Sequence, residues 1–247
     1  MRSKTMRATA VSDPRPVPVS SHQHRDVSGG WLRPTVFGAM DGLITNVSLI
    51  TGVGGGGGAT HTIVLTGLAG LVAGSFSMAT GEYISVASQN NLVHAEVDLE
   101  RQQLAQYPES EEAELVEVFA RHGVERRLAE RVAADISKDP ERALHLHTQE
   151  ELGVNAATLP SPWTAATSSM WSFAAGAIVP LVPFLVGLPH LWLTLAISAV
   201  VALAGGMVLG RTTSRPILTS GARQVVLGAL AVAVTFGVGR LIGRVTT

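Results

Sequence analysis

Five stretches of this chain are apolar for long enough to cross a lipid bilayer, and that pattern limits the possible folds more than any motif does. At 1.5 Å per residue a helix needs about 20 apolar residues to cover a ~30 Å hydrocarbon core. Pro34 to Val53, Thr62 to about Ala87, Trp163 to Val186, Leu188 to about Leu209 and roughly Val225 to Ile242 each meet that length. Inside lipid no water satisfies the backbone, so such segments are helices. The expected fold is all-α: a polytopic membrane protein of five transmembrane helices with a helical insert between the second and third. Only 15% of residues are charged, against about 25% in an average soluble domain.

The charges are placed as unevenly as the apolar residues. Of the 19 Asp and Glu residues, only Asp13, Asp26, Asp41 and Glu82 fall outside the block from Glu96 to Glu151. Residues 1–33 are polar, contain Pro14, Pro16 and Pro18, and lack the apolar h-region of a secretory signal. They read as a disordered tail. With five spans, the tail, the insert and the fourth-to-fifth connection (Arg211, Arg215, Arg223) share one side and hold 16 of the 18 Lys and Arg, leaving Arg240 and Arg244 opposite. The positive-inside rule then puts the tail and insert in the cytoplasm. The division is a tail (1–33), spans one and two (34–87), a cytoplasmic helical domain (88–161) and spans three to five (162–247).

Breakers subdivide the insert. Tyr107-Pro108 ends a helix continuing span two, Gly123 separates two shorter helices, and Asp139-Pro140 opens a last one stopping near Gly153. Ser110 stands where an N-cap would be. About 70 residues of such helix have little core of their own, so metal binding or dimerisation is a reasonable source of added stability.

Several function classes drop out. A net charge of -1 and the absence of any nucleic-acid motif exclude a basic nucleic-acid binder. Without cysteine there is no disulfide framework, thiolate metal site or cysteine nucleophile. Gly54 to Gly58 reads as a flexible turn, since the Lys-Ser/Thr ending of a phosphate loop is missing. Gly38 with Gly42, Gly70 with Gly74 and Gly206 with Gly210 suit close helix packing.

The candidate ligands lie in two places. Asp41 is an acid within span one, costing roughly 2.5–3.5 kcal/mol on insertion scales, and an intramembrane acid is a functional residue by default. Asn46, five residues on, lies nearly opposite it on an ideal helix, so a pore made by two chains could bring both together. Met78 and Glu82 share a face of span two at four-residue spacing. A thioether beside carboxylates tilts preference from Mg²⁺ and Ca²⁺ toward transition metals. In the insert, Glu96 with Glu100 and His147 with Glu151 stand four apart, and Glu111 with Glu114 three apart. The run from Glu109 to Glu117 has no Lys or Arg. Carboxylates held together repel unless a cation neutralises them. His145 lies off the Glu151 face.

Asp41-Gly42-Leu43, the segment Gly74-Ser75-Phe76-Ser77-Met78-Ala79-Thr80-Gly81-Glu82-Tyr83, the glutamate-rich insert and Glu150-Glu151-Leu152-Gly153 together resemble the vacuolar iron transporter family, with its bacterial and nodulin-like members. The likeness covers about residues 34 to 243. It implies a homodimer of five-span chains that moves Fe²⁺, and often Mn²⁺, out of the cytosol in exchange for protons along the dimer interface. By position it implies Asp41 and Met78 as intramembrane path residues, and Glu100, Glu111, Glu114 and Glu151 as carboxylates of the cytoplasmic metal site. There are departures: Asn46 stands where eukaryotic members have proline, Glu82 where they have glycine, Gln103 replaces an insert glutamate, and His147 replaces a methionine ligand. Gln and His still coordinate, while Gln103 lowers the site's charge and His147 makes its affinity pH-sensitive.

The expected protein is therefore a transporter, not an enzyme. Its partners are divalent metal, the bilayer and a second copy of itself; it needs no cofactor, and a bacterial inner membrane is its expected home. Glu82 would guard the cytoplasmic mouth. The alternative is a membrane-anchored metal buffer or sensor in which the insert alone acts. A carboxylate-bridged iron enzyme is disfavoured, because the Glu-x-x-His pairs of ferritin-like sites are absent.

Overall fold

A computed structural model of the chain describes residues 32–151, 153 and 158–246. The tail read as disordered lies outside the described residues up to position 31, and Leu32 and Arg33 already belong to the first helix. Nine α-helices follow among the described residues: α1 Leu32–Gly55, α2 Thr60–Gln106, α3 Pro108–Arg121, α4 Arg126–Ile136, α5 Pro140–Glu151, α6 Pro162–Ile178, α7 Val182–Leu185, α8 Leu191–Thr212 and α9 Ile217–Thr246. No strand occurs among them. Five helical segments are long and apolar enough to cross a membrane: α1, α2, α6 continued through α7, α8 and α9.

The spans assemble around α6. Its inner face carries Ala165, Ala166, Ser169, Ser172, Phe173, Gly176 and Ala177, nearly all small. A side chain at Gly38 would meet Ser169 and Ser172, one at Gly42 the backbone of Phe173, and one at Gly74 of α2 the Phe173 ring. Glycine at these places lets α1 and α2 close on α6 to backbone distance. That matters in lipid, where tight packing rather than water exclusion drives association. The core beyond is Leu43, Val47, Ile50, Phe173 and Leu181.

Prolines end α6. Pro180 and Pro183 each lack an amide donor and crowd the preceding turn, so the chain passes through a 3₁₀ turn, Val179–Leu181, into the single turn of α7. Thr194 on α8 donates 3.2 Å to the Pro180 carbonyl, which the broken ladder frees. Two local expectations change. Gly54 and Gly55 continue α1 rather than forming a turn, because they pack against Leu191 and Phe236; the turn falls at Gly57, with φ +81°. Ser110 is not an N-cap, because Pro108, which needs no amide partner at a first helical position, starts α3 two residues earlier.

α2 is the longest element. Its 47 residues span about 70 Å, more than twice the hydrocarbon core. The apolar part ends near Ala87, and the polar remainder stands clear of the membrane and carries the insert. The insert's own core is small: Leu115, Val116, Ala129 and Ala133, with Phe119, Val124, Ile136 and Leu146 against it. Asp139 caps α5 by accepting from the Glu141 and Arg142 amides. Asn90 of α2 donates 2.9 Å to the Pro160 carbonyl, tying the returning chain to the foot of the insert.

Aromatic rings mark the two membrane faces, as amphipathic rings do. Tyr83 and Trp163 meet at 4.9 Å on the insert side, and His190 stacks with Trp192 at 6.4 Å on the far side.

Candidate metal centre and intramembrane carboxylate

Four of the singled-out insert residues converge from three helices. α2 delivers Glu100, α3 Glu111, and α5 both His147 and Glu151 on one face. His147 Nδ1 lies 3.2 Å from Glu100 Oε1, 3.8 Å from Glu111 Oε2 and 3.7 Å from Glu151 Oε1. The imidazole is 1% exposed, so it is a core residue and not part of the insert's charged surface. His147 Nε2 is buried with no hydrogen-bond partner among the described residues, and buried Glu100 Oε1 makes its 3.2 Å contact to His147 Nδ1 without hydrogen-bond geometry. An orphaned buried polar atom calls for a cause, and here the free imidazole nitrogen sits in a cluster with three carboxylates.

The electrostatics point the same way. Burial, then the neighbouring Glu151, pushes the Glu100 carboxyl above the usual range, with Glu111 and Glu114 adding to it and His147 opposing. Glu111 is also raised, first by burial, with His147 opposing and Glu114 and Glu151 adding. Three carboxylates around one imidazole therefore have a deficit of positive charge. One donor atom each from Glu100, His147 and Glu151 lies within 4.8 Å of the others, a spacing one metal ion can bridge. Nitrogen and oxygen together suit divalent transition metals, whereas Mg²⁺ and Ca²⁺ favour oxygen alone.

A cavity of about 50 Å³ adjoins the cluster, lined by Glu96, Leu99, Glu100, Gln103, Thr148 and Glu151. Glu96 and Gln103 thus sit at its rim, exposed. Glu114 is exposed and acts on Glu100 and Glu111 by charge. His145 is exposed. Thr148 is a residue that the sequence reading missed. Its place beside His147 and one turn before Glu151 was the available signal, although its hydroxyl donates to the His145 carbonyl.

The membrane residues occupy a second place. α1 and α6 run in parallel and α2 against them, so Gly42, Phe173 and Gly74 share one level. Tyr83 of the aromatic belt is nine residues beyond Gly74 on α2, about 14 Å along the helix axis. That is close to half of a ~30 Å core, and it puts Asp41 near the midplane. Asp41 is exposed, and the Thr45 hydroxyl, one turn on, donates to it at 3.3 Å. Met78 is half-buried one turn nearer the insert, and half-buried Glu82 lies a further turn along, without an ion-pair partner among the described residues.

Asn46 points elsewhere. It is fully buried, its amide donating 2.5 Å to the Ala177 carbonyl of α6, while its oxygen lies toward Gly70 of α2. It ties α1 to α6, its oxygen has no hydrogen-bond partner among the described residues, and it faces away from Asp41. From Thr45 onward a groove of about 720 Å³ opens between α1 and α9. Thr45, Ser48, Gly52 and Gly56 line it from α1 and Thr235 from α9, and the buried Ser48 hydroxyl has no partner among the described residues.

Residues 32–240 match the family model described as the VIT family. A protein named vacuolar iron transporter from Acanthamoeba castellanii is 33% identical over 90% of this chain and 84% of its own length. Vacuolar iron transporter homolog 1 from Oryza sativa subsp. japonica is 35% identical over 86% of this chain and 74% of its length. Vacuolar iron transporter 1 from Arabidopsis thaliana is 27% identical, covering 87% of each chain.

Proposed function

This chain belongs to the VIT family, and from that membership, with the two carboxylate sites, we propose that it exports divalent transition metal from the cytosol, Fe²⁺ first and Mn²⁺ beside it, in exchange for protons. It is a multi-pass membrane transporter and not an enzyme. The observation that carries the mechanism is the pairing of a buried His147–carboxylate cluster outside the membrane with an exposed acid, Asp41, at its midplane. The first can capture an ion and the second can relay it through lipid depth.

In this reading Glu96 and Gln103 stand at the entry, and Glu100, Glu111, His147 and Glu151 hold the ion, with Glu114 adding charge. Glu82 receives it at the mouth of the spans. Met78 and Asp41, about one turn apart in depth, take it across the midplane, the thioether favouring a transition metal over Mg²⁺. Thr45 and Ser48 then offer hydroxyl oxygens along the groove to the far side. Asn46 holds the helices that frame this route. Carboxylates that bind metal when ionised and release it when protonated supply the exchange.

A second copy of the chain belongs to the proposal. An ionised Asp facing acyl chains costs about 2.5–3.5 kcal/mol, so the exposed Asp41 face of α1 needs a cover, and a twofold partner would set two such acids around one path. The 16 to 2 division of Lys and Arg supports a cytoplasmic insert. We assign the protein to a bacterial inner membrane.

Uptake of Fe²⁺, Mn²⁺, Co²⁺ and Zn²⁺ into proteoliposomes tests this directly. Asp41→Ala should abolish flux of every transported ion while the protein assembles as before and the insert still binds metal. Flux at the wild-type rate would remove Asp41 from the route, whereas no flux of any ion through the unaltered protein, with the insert still binding metal, would leave an anchored metal buffer or sensor.

A further inference from the structure

α9 is held at two heights by different neighbours. Near its start, Ser220 and Gly221 lie against Gly206 and Gly210 of α8, so close that an added methyl would strike backbone or the Ser220 side chain. Near its end, Gly239 and Gly243 lie as closely on Gly52 and Gly56 of α1. Between these two contacts α9 crosses from one helix to the other and fills neither gap. A cavity of about 450 Å³ results between α1, α8 and α9, with Leu43, Val47 and Ala202 buried at its floor and the exposed Ala199, Ala229 and Ala233 at its open rim. It extends along α9 from Val225 to Phe236, about 16 Å of bilayer depth.

An apolar space of this size has no use for water, which needs two to four polar partners to settle. Among the described residues, Ser198 supplies the one buried side-chain polar atom on its wall without a hydrogen-bond partner. Acyl chains are the solvent at this depth. The surrounding charge says which lipid. From residue 152 onward the sequence contains no Asp or Glu, yet it has Arg211, Arg215 and Arg223 at the insert-side ends of α8 and α9. All three are exposed, and none has an acidic partner among the described residues. Arg223 precedes the first cavity residue on α9, Val225, by two positions.

We propose that this cavity seats one acyl chain of an anionic phospholipid from the insert-side leaflet, with its phosphate head group held by Arg211, Arg215 and Arg223. The lipid completes the packing that α9, pinned at both ends, cannot complete alone. Interfacial basic residues attract anionic head groups in this way.

The test uses the whole protein in nanodiscs containing phosphatidylglycerol with a diazirine in its acyl chain. After irradiation, adducts are mapped by mass spectrometry. The expected result is labelling of the deep wall residues Val47 and Ala202, which are 3% and 5% exposed, in addition to Val200 and Val208, which are 66% and 63% exposed on α8. Ala229→Phe fills the cavity and should remove the cavity adducts while those at Val200 and Val208 persist; Ala229→Leu serves if the larger ring prevents assembly. Labelling confined to Val200 and Val208 in the unaltered protein overturns the proposal, as does cavity labelling that survives in a correctly assembled Phe or Leu variant. The same diazirine on phosphatidylcholine should label the cavity less, and combining Arg211→Gln, Arg215→Gln and Arg223→Gln should abolish that preference. Equal labelling by the two head groups in the unaltered protein overturns the assignment of the arginines.

Discussion

His147 shows how much chemistry one residue can carry when three helices close on it. A solvated histidine on a charged helix would lose little by substitution, but this one is 1% exposed and within 4 Å of three carboxylates. His147→Ala should weaken metal binding by about 10- to 100-fold, a loss comparable to removing even an outer partner of a metal site, read by calorimetric titration with Mn²⁺ or Co²⁺. The carboxylates set the pH response. Glu100 and Glu111 bind their protons more tightly in the docked insert than in the unfolded chain, where each returns to the usual glutamate range near 4.5. Their stabilising protons are therefore fully present below that value and are lost as pH rises through the raised range, so the metal-free insert becomes less stable with rising pH. Metal reverses the trend, because ligation needs the ionised form. Melting curves should show the metal-free protein losing stability and the metal-loaded one gaining affinity over that window. In Glu100→Gln/Glu111→Gln both slopes should flatten.

At the scale of the element, helix lengths follow local composition while helix contacts follow glycine. α2 runs unbroken through the membrane boundary because Gly81 is the only strong breaker between Gly74 and Pro108, and a single interior glycine costs only about 1 kcal/mol. This rigid extension fixes Glu100 relative to Met78 and Glu82. The α1–α6 contact is the opposite case: its geometry is decided by the atoms missing at Gly38, Gly42 and Gly176. Gly42→Val should drive the β-branched side chain into the Phe173 carbonyl, forcing α1 from α6 at a cost of at least the ~1–3 kcal/mol typical of overpacking. The expected readout is a lower melting temperature in detergent and partial loss of the native elution peak. Gly81→Ala, where nothing lies within 4 Å of the new methyl, should be tolerated.

At the scale of the whole molecule, one side of α1 is left uncovered by the described residues of its own chain. Phe37, Asp41 and Leu49 leave α1 exposed along a strip that includes the midplane acid. Since the chain has no cysteine, single-cysteine variants report cleanly. Phe37→Cys and Leu49→Cys should form disulfide-linked dimers on oxidation in membranes, and Val208→Cys on the outer face of α8 should not. Absence of cross-linking at both α1 positions would count against a twofold path. The insert contributes to the same whole-molecule logic, because beside its small core of Leu115, Val116, Ala129 and Ala133 the His147–carboxylate cluster joins α5 to α2.

The five spans, their order and the acidic insert are readable from the residues alone, because lipid imposes a length and a polarity on every crossing segment and the chain has to meet both locally. Motif resemblance added the family and a ligand set. Which candidates actually meet was decided only by packing. Four-residue spacing paired His147 with Glu151, but nothing local to either helix brings Glu100 from α2 or Glu111 from α3, since those contacts depend on how α3–α5 fold back on the α2 extension. Asn46 and Asp41 lie five residues apart and equally polar in sequence; tertiary contacts bury the first between α6 and α2 and leave the second facing outward. The cavity under α9 has no sequence signature at all, because it is the space left between two glycine contacts on two different helices.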